Sequence, residues 1–552
     1  MTSTRTRSVA GAAALIAVLT VVSRLAGFGR TTVFAWMVGD TGLGDAYLGA
    51  NTLPNIIFEL VAGGALASLV VPLLAPAVEA GDRERTGRIT SALLGWVLLL
   101  LVPVAVVVAV AAGPLVRIIL PHSPPEVVEA GTQMLRIFAP QLPLYGVGVV
   151  LTGVLQSHRR FAWPVIAPLL SSLVVIGVYL AFGYTEGPGT DLGAVTSTGT
   201  TILAAGTTCG VVVLSGCLLI PVRALRLPLR PTLRLPDDSR RAVLRLGWAG
   251  LVTVGAQQLA LLVVIGQASG GPTGSLVVFN LAQTVFLLPW AVLAVPLATA
   301  AYPGLTTGDD DGYRKLLART ARSTALAGLL GAGALVAVAI PAGAFFVGGR
   351  ALTDGIVAFA PGLIGYGLFA LLSRALYARG RTAEVARATA LAWGLVALLA
   401  AGLSAVTAPE QRVLVLGLAH SAGMLLLGAL LVISVRRING PAALAGLGRT
   451  LTAGLVAAVA AGAAGYAVGA IFDPTPARPV AVLQGMLCGF VGLAVFLGIA
   501  FLLDRDQVVR LARRGGTRSG SRASGNLPRG ETLPDGGNDA REPTARDGGD
   551  RS

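Results

Sequence analysis

Charged residues are scarce in this chain of 552 residues: they make up 12% of it, whereas hydrophobic residues make up 54%. A water-soluble chain of this length needs more charge to cover its surface, so the composition excludes an ordinary soluble protein. Apolar runs of about 20 residues recur along the chain, and each is long enough to cross the ~30 Å hydrocarbon core of a bilayer. The sequence therefore predicts an all-α protein that crosses a membrane many times.

The residues that carry metal, disulfide and nucleotide chemistry are also few. The three cysteines, Cys209, Cys217 and Cys488, lie within apolar runs, and neither they nor the three histidines have the spacing of a metal or redox motif. Lys315 is the one lysine, and a G-x-x-x-x-G-K-S/T phosphate-binding loop is absent from the sequence. We therefore expect no metal, no cofactor and no ATP hydrolysis, and we interpret the protein as a transporter rather than an enzyme.

The arginines predict how the chain is threaded through the membrane. We place fourteen spans near residues 8–38, 45–76, 90–112, 132–156, 161–183, 193–221, 242–267, 274–303, 321–347, 355–378, 384–406, 411–434, 447–471 and 479–503. Loops on one side carry most of the arginines, and those on the other side carry only four: Arg117, Arg350, Arg412 and Arg478. A net charge of +15 can indicate nucleic-acid binding, but arginines confined to short loops between spans are typical of a topology signal. The positive-inside rule places the arginine-rich side, and with it both termini, in the cytoplasm.

Spans four and ten match each other at a constant offset of 221 residues. Phe138-Ala139-Pro140 aligns with Phe359-Ala360-Pro361, Tyr145-Gly146 aligns with Tyr366-Gly367, and Pro72 in span two aligns more weakly with Pro303 in span eight. Because both copies begin on the cytoplasmic side, they indicate two parallel six-helix lobes, residues 1–222 and 223–440, which is a transporter architecture. Two extra spans occupy residues 441–504, and the polar, basic residues 505–552 predict a disordered cytoplasmic tail.

Ionisable residues are predicted at bilayer depth in the first two spans. Arg24 lies near the middle of span one, Arg30 lies ~9 Å farther out at 1.5 Å per residue, and Glu59 lies near the middle of span two. Such residues cost ~2.5–3.5 kcal/mol to insert and usually face a cavity or a partner. Our hypothesis is that Arg24 and Glu59 pair or share one polar cavity, with a purely structural ion pair as the alternative. Two guanidiniums, with Gly27 as a bending point between them, favour an anionic substrate.

Span two carries further residues that favour gating or bending. Asp45 opens the span near its outer end, where an acidic residue serves either a helix terminus or a gate. Pro54, Gly63 and Gly64 interrupt its regularity, and such residues are tolerated in a spanning helix where neighbours satisfy the freed backbone groups. We therefore predict that span two bends.

The same region resembles the opening of the MurJ (MviN) family. The matching segments are Ser23-Arg24-Leu25-Ala26-Gly27-Phe28-Gly29-Arg30, Asp45-Ala46-Tyr47, Leu53-Pro54-Asn55, Gly64-Ala65 and Val71-Pro72. The resemblance implies fourteen spans with both ends inside, two six-helix lobes, and Arg24, Arg30 and Asp45 at charged positions tied to the cavity. It also implies a bacterial plasma-membrane flippase that moves lipid II, the undecaprenyl-diphosphate-linked peptidoglycan precursor, from the inner to the outer leaflet for cell-wall synthesis. Membrane lipids and cell-wall synthesis or division proteins are the implied partners.

The chain departs from that pattern at several charged positions. The family has two arginines after L-P-N where this chain has Phe58 and Glu59, a basic residue at Thr52, an acidic one at Gly63 and an arginine at Thr284. These departures keep three alternatives open: a flippase for another polyprenyl-linked glycan, a cation-coupled exporter of small molecules, and a transport-inactive scaffold for cell-wall enzymes. We take alternating-access transport of lipid II as the main hypothesis.

Overall fold

The computed structural model describes residues 2–61, 67–230, 232–233, 254–307, 309–472 and 476–503. Within these residues the chain is helical, without a strand. The helices are α1 (Thr2–Met37), α2 (Gly42–Glu59), α3 (Ala67–Glu79), α4 (Arg83–Val110), α5 (Ala112–Ile119), α6 (Pro125–Phe138), α7 (Gln141–Ser157), α8 (Ala162–Glu186), α9 (Ser197–Gly216), α10 (Leu219–Arg223), α11 (Val254–Ala268), α12 (Ser275–Pro289), α13 (Val295–Thr307), α14 (Asp310–Ala337), α15 (Ala339–Phe345), α16 (Gly349–Phe359), α17 (Gly362–Ala378), α18 (Thr382–Val406), α19 (Arg412–Asn439), α20 (Leu447–Ala470) and α21 (Arg478–Leu503).

The helices confirm an all-α polytopic membrane protein. In the described part of the chain, nine helical stretches are each long and apolar enough to cross a membrane, and the bent pairs α6–α7 and α16–α17 bring the number to eleven. Each of the fourteen predicted spans overlaps a helix or consecutive helices. The start of span seven, at 242–253, and the predicted tail, at 505–552, lie outside the described residues.

Several predicted spans begin later than their helices, and acidic caps account for two of them. The structure starts α4 at Arg83 instead of residue 90, and α14 at Asp310 instead of residue 321. Acidic N-caps explain both corrections: the Asp82 carboxylate accepts from the Arg85 N–H at 2.8 Å, and the Asp309 carboxylate accepts from the Gly312 N–H at 3.0 Å. Capped in this way, the two helices begin before their apolar runs. The arginines that we assigned to the loops therefore lie on the first turns of the helices.

The repeat is visible in the backbone. Span four bends by 44° between α6 and α7, at Ala139-Pro140, and span ten bends by 47° between α16 and α17, at Ala360-Pro361. Proline causes both breaks because it lacks an N–H and clashes with the preceding turn. Spans two and eight share a second irregularity, since residues 60–61 and Trp290–Ala294 are π-helical.

A hydroxyl group from a neighbouring helix braces each bend at the same place in the repeat. Thr208 of α9 donates to the Ile137 carbonyl at 3.0 Å, and Ser421 of α19 donates to the Ala358 carbonyl at 2.6 Å. Ile137 and Ala358 are 221 residues apart, which is the offset of the sequence match. Both hydroxyls bond backbone carbonyls where the helix is broken. The exact limits of the two lobes, at 1–222 and 223–440, stay a prediction.

The last two helices pack on the second half of the chain. α20 lies along α14, and α21 lies along α20. Leu326, Leu329, Ala458, Ala461 and Phe496 are buried together between the three helices. Small residues allow close approach, since a side chain at Gly333 would meet the backbone of Ala458.

Candidate functional site

Arg24 and Arg30 lie on α1, which runs through Gly27 without interruption. Arg24 is exposed and Arg30 is half-buried. A methyl group added at Gly27 or Gly29 would have no atom within 4 Å apart from the adjacent residues and backbone of α1 itself. This part of α1 therefore borders open space. A guanidinium beside such a space is able to bind an anion that enters it.

A buried cluster of hydroxyl groups stands behind Arg30. The Tyr47 hydroxyl group bonds the Tyr179 hydroxyl group at 2.8 Å and the Thr207 hydroxyl group at 2.9 Å, and all three side chains are buried. Arg30 lies within electrostatic range of Tyr47, Tyr145 and Tyr179. Sequence reasoning missed this cluster, although tyrosines in apolar spans are a usable signal because a buried phenol needs a hydrogen-bond partner.

The predicted ion pair between Arg24 and Glu59 is not formed. Both side chains are exposed, and the four ion pairs among the described residues lie elsewhere: Arg314–Asp311, Arg350–Asp354, Arg379–Asp310 and Arg387–Glu384. The reason is packing: α1 lies along α8, and α2 lies along α6. Equal depth on consecutive spans therefore does not bring the two side chains together, and a shared cavity stays a prediction.

Asp45 joins the two halves of the chain. Its carboxylate accepts hydrogen bonds from the N–H groups of Gly274 at 2.7 Å, Leu276 at 3.1 Å and Val277 at 3.3 Å, at the start of α12. An anionic group is favoured at a helix N-terminus, so Asp45 caps a helix 229 residues away rather than its own. Gly274 adopts φ +85°, and a side chain there would collide with the backbone of Asp40.

Further contacts join the halves beside Asp45. The Trp36 indole N–H donates to the Phe345 carbonyl at 3.2 Å, and their rings pack with centroids 5.2 Å apart. The His122 N–H donates to the Ser269 hydroxyl group at 3.4 Å, and the His122 Nδ1 atom bonds the Gly266 carbonyl at 3.1 Å. We refer to this end of the bundle, formed by residues 36–45, 120–123, 266–277 and 345–346, as the closed end.

The remaining predicted positions have different surroundings. Pro54 is buried within α2, which is continuous around it. Gly63 and Gly64 lie outside the described residues, so their bending role stays a prediction. Phe58 packs on Tyr145 with ring centroids 4.7 Å apart, and the Thr284 hydroxyl group donates to the Asn280 carbonyl of its own helix at 2.8 Å. Apolar packing and a local hydrogen bond therefore occupy two positions at which the family resemblance led us to expect arginine.

An apolar groove of about 500 Å³ lies between α20 and the bent pair α16–α17. Its lining residues are Ala332, Gly333, Val336, Asp354, Val357, Ala360, Pro361, Ile364, Leu414, Leu455, Ala458, Val459, Gly462, Ala463 and Tyr466. Asp354 is the one charged side chain among them, and it pairs with Arg350 at 3.8 Å. Such a groove is able to hold a hydrocarbon chain.

The repeat, the paired bends and the closed end define a two-half membrane transporter fold. A solved multidrug resistance MATE-family transporter of the MOP superfamily, in an inward-facing conformation, matches 78% of this chain and 98% of its own with a TM-score of 0.63 and 15% identity. The chain belongs to the lipid II flippase MurJ family, whose model matches residues 34–475. This membership confirms the family that the sequence resembles, and the matched residues begin after the segment from Ser23 to Arg30.

Relatives and solved structures agree with that membership. The chain is 27% identical to the probable lipid II flippase MurJ of Rhizobium tropici over 68% of this chain and 71% of the relative. It is 28% identical to the lipid II flippase MurJ of Burkholderia cenocepacia over 65% of this chain and 71% of the relative. A solved structure of lipid II flippase MurJ in an inward closed conformation has a TM-score of 0.71 at 18% identity and covers 90% of this chain and 99% of that one.

Proposed function

We propose that this chain moves lipid II from the inner to the outer leaflet of the bacterial plasma membrane by alternating access. The match of the lipid II flippase family over residues 34–475 is the observation that carries this proposal. It is supported by half-buried Arg30 beside open space on α1 and by an apolar groove in the second half. Lipid II combines an anionic diphosphate headgroup with a polyprenyl tail. A guanidinium suits the diphosphate, and an apolar groove suits the tail.

The closed end is the outer end in this proposal, and both termini are cytoplasmic. The arginine-poor loops lie on its side, and the positive-inside rule assigns such loops to the outside. With its outer end sealed, the protein receives substrate from the cytoplasmic leaflet. Lobe 1–222 then rocks against lobe 223–440, and the bonds from Asp45 to Gly274, Leu276 and Val277 break as the closed end opens.

The headgroup binds Arg24 and Arg30 in the proposed cavity. A guanidinium offers a planar fork of donors that matches a phosphate group, and two of them match a diphosphate. Exposed Arg24 meets the headgroup first, and half-buried Arg30 holds it against the hydroxyl cluster of Tyr47 and Tyr179.

The polyprenyl tail stays in the bilayer and lies in the groove formed with α20. The groove is next to Ala360 and Pro361, so movement at the α16–α17 bend changes the shape of the tail site. The protein does not hydrolyse ATP in this proposal, and membrane potential drives the return step, since one charge is worth ~2.3 kcal/mol per 100 mV. Enzymes of cell-wall synthesis or division are its protein partners.

A second candidate is a flippase for another polyprenyl-diphosphate-linked glycan. Phe58 and Thr284 favour it. They stand at two positions where the family pattern has an arginine for the headgroup, so this chain has two fewer cations there. The diphosphate and the tail are common to both substrates, so the two candidates differ in the sugar that enters the cavity.

Depletion of a bacterium's own lipid II flippase, with this chain supplied at normal expression, tests the proposal. Lipid II exposed on the outer leaflet is measured by external cleavage of its headgroup. We expect exposure to recover with this chain and not with Arg30→Ala. If the normally expressed chain does not restore lipid II exposure, the lipid II assignment is contradicted. If outer-leaflet exposure of another polyprenyl-linked glycan recovers under the same conditions, the second candidate is favoured.

A further inference from the structure

The helix α21 lies beyond both predicted lobes, yet its first residue reaches the closed end. The guanidinium carbon of Arg478 is 5.0 Å from the centroid of the Trp36 ring. A cation within about 6 Å of an aromatic centroid is attracted by the face of the ring. Trp36 lies in the last turn of α1, which ends at Met37. The contact therefore joins the first half of the chain to a helix that neither repeat contains.

Helix dipoles favour Arg478 at the end of α1 more than at the start of its own helix. The N-terminus of a helix carries a partial positive charge, so α21 disfavours a guanidinium on its first residue. The C-terminus carries a partial negative charge, and α1 has no basic residue in its own last turn. Arg478 supplies a cation at that end of α1, where the helix and the Trp36 ring both favour it.

Trp36 is bound to the second half as well. Its indole N–H donates to the Phe345 carbonyl at 3.2 Å, in the last turn of α15, where carbonyl groups have no partner within their helix. The Phe345 ring meets the Trp36 ring edge-on, at an angle of 72°. A single indole on α1 is thus held by α15 through its N–H group and by α21 through its ring.

α21 also supports the segment that presents Phe345. The helices α15 and α21 pack against each other. A methyl group added at Gly485 would lie 3.7 Å from Pro341, and one added at Gly489 would lie 3.5 Å from Val338, which are ordinary contact distances. Movement of α1 away from this support must break the contact with Arg478 together with the bond to Phe345.

We propose that Arg478 is a gating residue that holds the outer end closed by binding the ring of Trp36. Its contact is a second closure, beside the three N–H bonds to Asp45. Arg478 acts through Trp36 and not on the transported lipid, so it is a positioning residue for the transport cycle. The inference rests on the alternating-access part of the proposed function and not on the identity of the substrate.

Cysteine labelling of the purified full chain measures how often the closed end opens. The reporter is Ser275→Cys, at a buried position of the closed end, in a chain whose native cysteines are replaced. We expect Arg478→Gln to raise the labelling rate about two- to fivefold, which is the contribution of one exposed cation–π contact. Arg478→Lys keeps a cation and should restore slow labelling. Arg117→Gln, on another exposed arginine of the arginine-poor side, is the matched control and should label slowly.

A double variant tests whether Arg478 acts through the ring. Trp36→Leu removes the ring, so Arg478→Gln should add nothing to the labelling rate in that background. Independent residues have additive effects, whereas residues that act through one contact do not. Additive effects of the two substitutions overturn the proposal. Labelling of Arg478→Lys as fast as that of Arg478→Gln overturns it too, because the cation is then not what closes the gate.

Asp45→Asn separates a failure of this inference from a failure of the proposed function. If Asp45→Asn raises the labelling rate and Arg478→Gln does not, the outer end is a gate that Arg478 does not hold, and the inference alone is overturned. If neither variant raises the rate, the closed end does not open, and alternating access is overturned with it.

Discussion

The two repeats of this protein bend at equivalent places, but the two bends are packed against different surroundings. In span four, Pro140 is followed by α7, and Thr208 of α9 braces the Ile137 carbonyl. In span ten, Pro361 is followed by α17, Ser421 of α19 braces the Ala358 carbonyl, and the bend also lines the groove beside α20. Backbone irregularities and their braces are thus shared, whereas the outer packing belongs to the second half alone.

The two repeats also differ in charge, and here the first repeat has the additional feature. Spans one and two carry Arg24, Arg30, Asp45 and Glu59, whereas α12, the main helix of span eight, has no ionisable side chain. The contrast supports a division of labour in which the first half binds the headgroup and the second half binds the tail. The following predictions test that division, beginning with the largest expected effect.

Arg30→Ala is expected to reduce transport about a hundredfold or more. The variant removes a charge-assisted pair of hydrogen bonds to the headgroup, and each such bond contributes ~1.5–3 kcal/mol. The rate of lipid II exposure in cells is the measurement, with Arg117→Ala as the control on an exposed arginine. If Arg30→Ala transports at the wild-type rate, the headgroup site does not depend on Arg30 of the first half.

Asp45→Asn is expected to destabilise the closed end by about 1.4 kcal/mol, a tenfold shift in the ratio of closed to open molecules, because the amide accepts fewer of the three N–H bonds. The opening is measured by labelling of Ser275→Cys, a buried closed-end position, in a chain whose native cysteines are replaced. Asp40→Asn, on an exposed neighbour, is the matched control. Equal labelling in both variants contradicts a sealing role for Asp45.

Val459→Trp is expected to lower transport about fivefold by filling the groove, because the side chain faces that space and is 63% exposed. An analogue of the substrate with a short lipid chain should be transported normally, since it does not need the groove. Leu497→Trp on the exposed surface of α21 is the control. Equal losses for long and short chains argue against a tail site in the second half.

Removing the brace hydroxyls is expected to have smaller effects. Ser421→Ala should cost about 1 kcal/mol of stability, because the hydroxyl group also accepts from the Gly362 N–H at 3.0 Å. The Thr208 hydroxyl group likewise accepts from the Gln141 side chain at 2.9 Å, but Thr208 is only partly buried, so Thr208→Val should cost less. Thermal unfolding orders the two variants, and a larger loss for Thr208→Val reverses the comparison between the bends.

Glu59→Gln is expected to change transport less than twofold, because exposed Glu59 has no ion-pair partner in the described structure. The double variant Arg24→Glu with Glu59→Arg should be as impaired as Arg24→Glu alone. Transport assays of the single and double variants check both statements. Recovery in the double variant indicates an ion pair in another conformation.

The sequence predicted features that depend on local pattern. Hydropathy predicted spans that each overlap a helix of the described structure, and F-A-P at a fixed offset located both bends, because proline breaks a helix wherever it falls. Depth along a span was also readable, but lateral packing was not. Arg24 and Glu59 have similar predicted depths, yet α1 lies along α8.

Long-range partners explain the other omissions. Asp45 looked like a cap for its own helix, and its actual partner begins 229 residues later. The Tyr47 cluster joins three helices, and its hydroxyl groups are 132 and 160 residues apart in sequence. No periodicity within a span encodes such distances.

The most direct measurement of the central claim is translocation of lipid II by the purified chain in proteoliposomes. Labelled lipid II is placed in both leaflets, and the fraction accessible to an added headgroup-cleaving enzyme is followed with time. The proposal predicts that wild-type vesicles make the inner pool accessible, whereas Arg30→Ala vesicles and empty vesicles do not. Equal accessibility in wild-type and empty vesicles contradicts a lipid II flippase built on Arg30.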